Sequence, residues 1–264
     1  MHEELKSEYP EGITIVLPAY NEEENIEKAM QSSLKMAEKV AEHYEVIVVD
    51  DGSTDSTGEI CEDLSRQNRH LKVIRHKSNQ GYGAALRNGF TSAQYKLVFY
   101  TDADNQFDIS ELRYLLRLMD TYDVVTGFRV YRYDSPLRIF LSWVYNKLVK
   151  QIFGVKTRDI DCAFKVFRRK IFDQFTIESN DFFVDTEIMV KAKRLGYAIN
   201  EVGVRHYPRM AGRTTVRPSD IPRTLRRMLN IWISARRLKP RQYGKKNLNQ
   251  ANFSNNGDNG THFS

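Results

Sequence analysis

The sequence predicts an α/β fold, a Rossmann-like, mostly parallel twisted sheet with helices on both faces. Three observations point there. Five short runs, at residues 13–18, 45–50, 71–75, 96–101 and 123–127, are β-branched or aromatic without strict alternation, as in strands buried on both faces. Helical patterns near 23–42, 55–67, 81–93 and 109–119 separate them, and strand–helix–strand alternation builds parallel sheets. The most polar strand exits, Pro18–Glu22, Asp50–Asp55 and Thr101–Gln106, fall where such sheets place their ligands, at the carboxyl ends of strands.

In chain order, the first exit (Leu17-Pro-Ala-Tyr-Asn-Glu22) offers a backbone turn, an aromatic face and a carboxylate, which alone is ordinary turn chemistry. The second (Val49-Asp-Asp-Gly-Ser-Thr-Asp55) carries two adjacent carboxylates, more than a helix cap requires. Asp50 or Asp51 would accept hydrogen bonds from a nucleobase or a ribose. The third (Thr101-Asp-Ala-Asp-Asn-Gln106) is the sharpest. In an extended chain alternate side chains share a side, so Asp102, Asp104 and Gln106 would converge on one point. Oxygen ligands of this kind suit Mg²⁺ or Mn²⁺. The competing expectation is a solvated turn whose aspartates cap the helix near Ile109.

Beyond Arg129 the pattern changes. Residues 136–153 read as an amphipathic helix, 184–195 as a helix and 198–204 as a strand. A polar loop leads to a helix over 220–239, with Ile221, Leu225, Met228, Trp232 and Ala235 at helical spacing and arginines opposite. Between Arg217 and Lys246 ten Lys and Arg stand against one acid, Asp220, so this segment carries +9 and the remainder −3 of the formal +6. Such asymmetry points to an anionic partner. The expected divisions are a catalytic domain over 1–215, a basic membrane- or partner-associating segment over 216–246 and a disordered Asn-rich tail over 247–264.

Hydrophobic residues make up 41% and charged residues 28%, which excludes disorder for the body of the chain. No run approaches the roughly 20 apolar residues of a spanning helix. The polar N-terminus is not expected to be a secretory signal, and two cysteines, Cys61 and Cys162, are too few for a disulfide framework. The expected location is cytoplasmic, peripheral on the cytoplasmic face of a membrane.

Together, Pro18-Ala-Tyr-Asn-Glu22, Asp50-Asp-Gly-Ser53, Asn79-Gln-Gly-Tyr-Gly-Ala84 and Asp102-Ala-Asp-Asn-Gln106 resemble the glycosyltransferase family 2 pattern on a GT-A fold. Within it the resemblance is to polyprenyl- and dolichyl-phosphate hexosyltransferases, over about residues 13–215. It implies that Pro18, Tyr20, Glu22, Asp50, Asp51, Gly81, Asp102 and Ala103 line a sugar-nucleotide pocket, with Asp102, Asp104 and Gln106 on the metal. Matching positions Arg129, Arg132, Arg138, Ser142 and Arg209 would bind the lipid phosphate. Arg158-Asp-Ile-Asp-Cys-Ala-Phe-Lys165 resembles the family's D-x-x-x-G-F-R segment, with Cys162-Ala163 in place of the usual small pair and Lys165 in place of Arg. Asp159 or Asp161 would orient the arginines or touch the sugar. Asp185 and Glu187 fall at a helix start, where acids suit the dipole. By resemblance one of them is a general base in hydroxyl-acceptor relatives or contacts sugar hydroxyls in lipid-phosphate enzymes.

The chemistry of the acceptor separates these readings. A hydroxyl needs a base to take its proton. A phosphomonoester, largely dianionic at neutral pH, needs cations that hold it beside a second anion. The arginines favour inverting hexose transfer to a lipid phosphate. Transfer to a glycan hydroxyl, with Asp185 or Glu187 as base, is the alternative; a non-catalytic membrane- or nucleic-acid-binding protein is the third. No G-x-G-x-x-G opens the first helix, and no nucleic-acid recognition motif is present, so no nucleic-acid partner is expected. The expected partners are a nucleoside-diphosphate sugar, a polyprenyl phosphate and a membrane surface or membrane-anchored subunit.

Overall fold

The computed structural model describes residues 9, 11–131, 136–208 and 221–239. Its strands are β1 (Ile13–Ala19), β2 (Tyr44–Asp50), β3 (Leu71–Arg75), β4 (Leu97–Thr101), β5 (Val124–Arg129), β6 (Phe164–Arg168) and β7 (Ile199–Val204). They form one sheet in the order β3-β2-β1-β4-β6-β5-β7. β1 pairs in parallel with β2 and β4, β2 with β3, and β5 with β7. β6 alone runs antiparallel, between β4 and β5. The carboxyl ends of the other six strands and the entry to β6 therefore share one rim.

The helices are α1 (Ile26–Val40), α2 (Thr57–Gln67), α3 (Tyr82–Ser92), α4 (Leu112–Leu116), α5 (Pro136–Phe153), α6 (Val184–Arg194) and α7 (Ile221–Arg237). They cover both faces of the sheet. Ile15 and Leu17 of β1 pack on one face with Met30, Val48 and Phe99, while Val16 packs on the other with Phe90, Val98 and Phe167. Every residue of β1 is buried, which is why its sequence shows no polar alternation.

The five predicted strands of the first half are all present. β6 was not predicted: Lys165 interrupts FKVFR, yet this lysine is fully buried because a carboxylate meets it inside the fold. The helix expected over 109–119 is a 3₁₀ turn, Ile109–Glu111, followed by the short α4. Asp108 caps that turn by accepting from Ser110 N, so Asp102 and Asp104 are not its caps. The apolar face expected on α7 is met in part, and the side chains of Ile221 and Leu225 lie outside the described residues. Met228, Ile231 and Ala235 are buried, while Trp232 is 38% exposed with Leu229 and Ile233 beside it. The helix packs against α6 and is tied to the loop before it by the Arg227–Asp181 ion pair and the Ser234–Glu178 hydrogen bond. Among the described residues no helix is long and apolar enough to cross a membrane.

Candidate active site

The exits of β1 and β2 are stitched into one wall. Asn21, in the left-handed region at φ 54°, accepts from Thr54 N at 2.8 Å, and its own N–H reaches Ser53 Oγ at 2.9 Å. Glu22 N donates to Thr57 Oγ1 at 2.8 Å, and Glu22 Oε2 accepts from Asn25 Nδ2 at 2.9 Å. Pro18 lies within β1 opposite Val49, and Tyr20, 45% exposed, stands on the rim. Asp50 is fully buried, accepts from Ser53 N at 2.9 Å and lies 3.1 Å from Arg75 Nε. Arg75, half-exposed above it, was missed from sequence because it ends a strand with no motif around it.

Asp51, the second predicted nucleotide-site carboxylate, is committed within the fold. Its carboxylate accepts from Gln80 N at 2.9 Å and Gly81 N at 2.8 Å, and meets His76 Nδ1 at 2.6 Å. It organises the loop into α3. Gly81 is a glycine for a steric reason as well: φ is 99°, and a Cβ there would lie 2.1 Å from the Asn180 carbonyl oxygen. Gly83 N donates to that same carbonyl at 3.0 Å. Between the two glycines sits Tyr82, whose hydroxyl donates to Asp102 Oδ1 at 2.9 Å. Burial and the Asp102 charge push the Tyr82 hydroxyl well above its usual range, so it stays a donor.

Residues 102–106 form a turn, not the extended segment the sequence suggested. Asn105 takes φ 56°, and its side chain donates to Asn25 O at 2.9 Å. Asp104 Oδ1 accepts from Gln106 N at 3.1 Å. The Gln106 side-chain amide donates to Tyr207 O at 2.9 Å, so Gln106 is drawn toward the exit of β7. Ala103 is buried beneath the turn. Burial, followed by the neighbouring Asp104 charge, raises the Asp102 carboxyl to about 8. Two hard-oxygen carboxylates held against each other's charge fit a divalent cation such as Mg²⁺ or Mn²⁺, which would relieve that repulsion. Among the described residues no cluster of three or more His, Cys, Asp or Glu forms a complete metal cage. The site would leave coordination positions for a ligand's oxygens.

Behind Asp102 lies a buried charge network. Lys165 Nζ is 2.6 Å from Asp185 Oδ1 and 3.0 Å from the Tyr100 hydroxyl, and it also donates to Cys162 O. Tyr100 donates to the same Asp185 oxygen. No hydrogen bond among the described residues reaches Asp185 Oδ2. Glu187, the other predicted base candidate, is not turned to the cleft. It accepts from Glu178 N at 2.8 Å and Ser179 N at 2.7 Å, and pairs with buried Lys191 at 2.6 Å. Glu187 is a clamp for the loop that carries Asn180. Asp159 pairs with Arg129 through two hydrogen bonds of 2.6 and 2.8 Å, so this arginine brings its own counter-charge. Asp161 Oδ1 is shielded from solvent without a hydrogen-bond partner among the described residues. Burial and the charges of Asp185 and Asp159 raise its carboxyl to about 7.

On α5, Asn146 holds the helix to the entry of β6 by accepting from Ile160 N at 2.9 Å, and donates to Ser142 O at 2.9 Å. Arg138 belongs to α5, but its side chain, like Arg132 and Arg209 altogether, lies outside the described residues. Pro18, Tyr20, Glu22, Asp50, Asp102 and Asp104 thus lie at the exits of β1, β2 and β4, with Arg129, Asp159, Asp161 and Asp185 beside them on the same rim, while Gln106 turns to the β7 exit and Asp51 to the loop into α3.

Comparison with known proteins bears on the family and the fold. The glycosyl transferase family 2 profile matches residues 14–176. The glycosyltransferase AglD of Haloferax volcanii is 32% identical over 207 residues, 75% of this chain and 33% of that protein. The undecaprenyl-phosphate 4-deoxy-4-formamido-L-arabinose transferase of Shewanella sediminis is 31% identical over 202 residues, 76% of this chain and 60% of that protein. The chain thus matches between a third and three fifths of the length of these relatives. In fold it is similar to glucosyl-3-phosphoglycerate synthase from Mycobacterium tuberculosis, crystallised with Mn²⁺, uridine diphosphate and phosphoglyceric acid. That structure aligns with a TM-score of 0.69 at 18% identity, over 90% of this chain and 84% of that one. The fold is GT-A, and the chain belongs to glycosyl transferase family 2.

Proposed function

We propose that this glycosyltransferase moves a hexose from a nucleoside-diphosphate sugar, of the GDP-mannose or UDP-glucose type, to a polyprenyl or dolichyl phosphate. The relatives named as undecaprenyl-phosphate transferases support the acceptor class. The observation that carries the reading is the state of the two candidate bases. Asp185 already accepts from Lys165 and Tyr100, and Glu187 from two backbone amides and Lys191. Both carboxylates are thus already engaged by donors of the fold rather than held out toward an acceptor hydroxyl. A phosphate acceptor needs no base.

In this reading Pro18, Tyr20, Glu22 and Asp50 with Arg75 form the nucleotide wall. Asp102 and Asp104 would hold Mg²⁺ or Mn²⁺, which when bound would neutralise charge on the leaving diphosphate. Tyr82 fixes the Asp102 carboxylate from below. Asp161 Oδ1 and Asp185 Oδ2, both without a hydrogen-bond partner among the described residues, offer acceptors to hydroxyls of the hexose. Arg129, oriented by Asp159, presents its guanidinium at the β5 exit, where with Arg132, Arg138, Ser142 and Arg209 it would position the incoming phosphate. An oxygen of that phosphate bonds to the anomeric carbon as the carbon–oxygen bond to the diphosphate breaks. The bonding pair leaves with the diphosphate, and attack from the opposite face gives a β-linked lipid-phospho-sugar. No proton need be removed. The enzyme would work peripherally at the cytoplasmic face of a membrane.

One observation keeps a second reading in view: among the described residues Asp185 Oδ2 meets no hydrogen-bond donor, and a glycan hydroxyl would use it as its base. The test is a transfer assay with labelled UDP- and GDP-sugars, Mn²⁺ or Mg²⁺ and a short polyprenyl phosphate. Label passing into the organic phase, abolished by EDTA, is the expected result. Donor hydrolysis with no lipid labelling would overturn the acceptor assignment.

A further inference from the structure

At the far end of α6, about 14 Å along the helix from Asp185 at 1.5 Å per residue, lies a cavity of about 470 Å³ between the ends of α5, α6 and α7. Ile152, Val190 and Trp232 give it apolar walls; Lys193, Arg194 and Arg236 ring it, and no acid among the described residues lines it. Last-turn cations oppose helix dipoles, which accounts for each of them singly. It does not account for the apolar surface left open among them. Ile152 is 47% exposed, and along α7 Leu229, Trp232, Ile233 and Arg236 follow at i, i+3, i+4 and i+7 on the side turned away from the buried Met228, Ile231 and Ala235. Arg236 lies over the Trp232 ring, 4.3 Å from its centroid.

We propose that this three-helix corner is a seat for an anionic bilayer surface, with a lipid phosphate headgroup among Lys193, Arg194 and Arg236 and the Leu229–Trp232–Ile233 stripe at the headgroup–acyl boundary. The occupant follows from the charge and the shape together. Lys193 Nζ donates to Gly154 O, yet no carboxylate among the described residues pairs with Lys193, Arg194 or Arg236, so the three cations suit an anion, and a soluble anion would leave the indole and the aliphatic stripe in water. A tryptophan flanked by arginines at an apolar edge is the side-chain composition of a membrane interface. The helix does not lie flat, because α6 already covers its other apolar edge; it offers an edge instead. This seat is separate from the catalytic rim and does not depend on the acceptor reading.

Trp143 and Trp232 are the chain's two tryptophans, so in the full chain carrying Trp143→Phe the emission reports this corner alone. The probes are vesicles of phosphatidylcholine alone, vesicles with a quarter phosphatidylglycerol, and soluble glycerol phosphate. Expected is a blue shift and a partition coefficient on the order of 100-fold higher for the anionic vesicles, about fivefold for each of three cations. Adding Arg194→Gln and Arg236→Gln lowers that partition about 25-fold while leaving thermal stability and donor turnover unchanged. A shift equal on both vesicle types, a shift with glycerol phosphate alone, or no shift with either vesicle overturns the proposal; the last would reassign the corner to a protein partner. Loss of lipid labelling in the transfer assay with vesicle binding intact would refute the catalytic reading and leave this one standing.

Discussion

Replacing Lys165 with Met probes the buried charge network most severely. Lys165 is fully buried in β6, 2.6 Å from Asp185 and 3.0 Å from the Tyr100 hydroxyl. Methionine roughly matches its volume, so the loss is electrostatic. Removing one partner of a buried pair strands the other charge and costs about 3–5 kcal/mol. Against a domain stability of about 5–15 kcal/mol this is a large share. At about 2–4 °C per kcal/mol for a domain of this size, the midpoint should fall by roughly 10 °C. Adding Asp185→Asn removes the stranded charge, so the double variant should be more stable than Lys165→Met alone, with a coupling of about 2–3 kcal/mol. Urea denaturation of the wild type, both single variants and the double variant measures this directly. A loss below about 1 kcal/mol for Lys165→Met, or strict additivity, would refute the claim that Lys165 exists to hold Asp185.

Four further outcomes are expected. Asp102→Asn should stabilise the protein in EDTA at pH 8 and progressively less toward pH 5. The folded carboxyl is raised to about 8, so wild-type stability falls as pH climbs from the unfolded value near 4 toward 8; a midpoint difference independent of pH would contradict this. Gly81→Ala should lower the midpoint and weaken nucleotide binding by calorimetry, because the added Cβ meets the Asn180 carbonyl at a positive φ; an unchanged variant would show that the loop yields freely. Glu187→Gln should weaken donor affinity and stability without altering the pH profile of turnover, whereas loss of the acidic limb of that profile would restore Glu187 as a base. Cys61 and Cys162 are buried, and burial raises both thiols, Cys61 to about 12, so a thiol reagent should label neither until denaturant is added.

The parallel half of the sheet was readable because its strands are fully buried, and a run such as Ile13–Leu17 has no competing interpretation. The positions of the exits were readable too, because each polar run directly follows a largely apolar strand. What stayed hidden was pairing across distance. Lys165 looks like a surface residue until Asp185 meets it from another element, and with it β6 was lost. Asp50 and Asp51 are neighbours with opposite duties, one beneath Arg75 and one holding the loop to Gly81, and local sequence does not separate them. Glu187 looks like a catalytic acid at a helix start; only the approach of Glu178 N, Ser179 N and Lys191 shows it to be a clamp. In α7 Met228 and Ala235 are buried as their spacing suggested, but Ile231 takes the place expected of Trp232, because a helix with two apolar edges can bury either.

The most direct test of the central claim uses two acceptors that differ in one group. A short polyprenyl phosphate and the corresponding polyprenol are offered to the enzyme with the same labelled donor and Mn²⁺, and label in the lipid is compared. Transfer to the phosphate, none to the alcohol, and no transfer to either in Asp104→Ala is the predicted result. Labelling of the alcohol that disappears in Asp185→Asn would contradict the account and make Asp185 the base of a hydroxyl transferase.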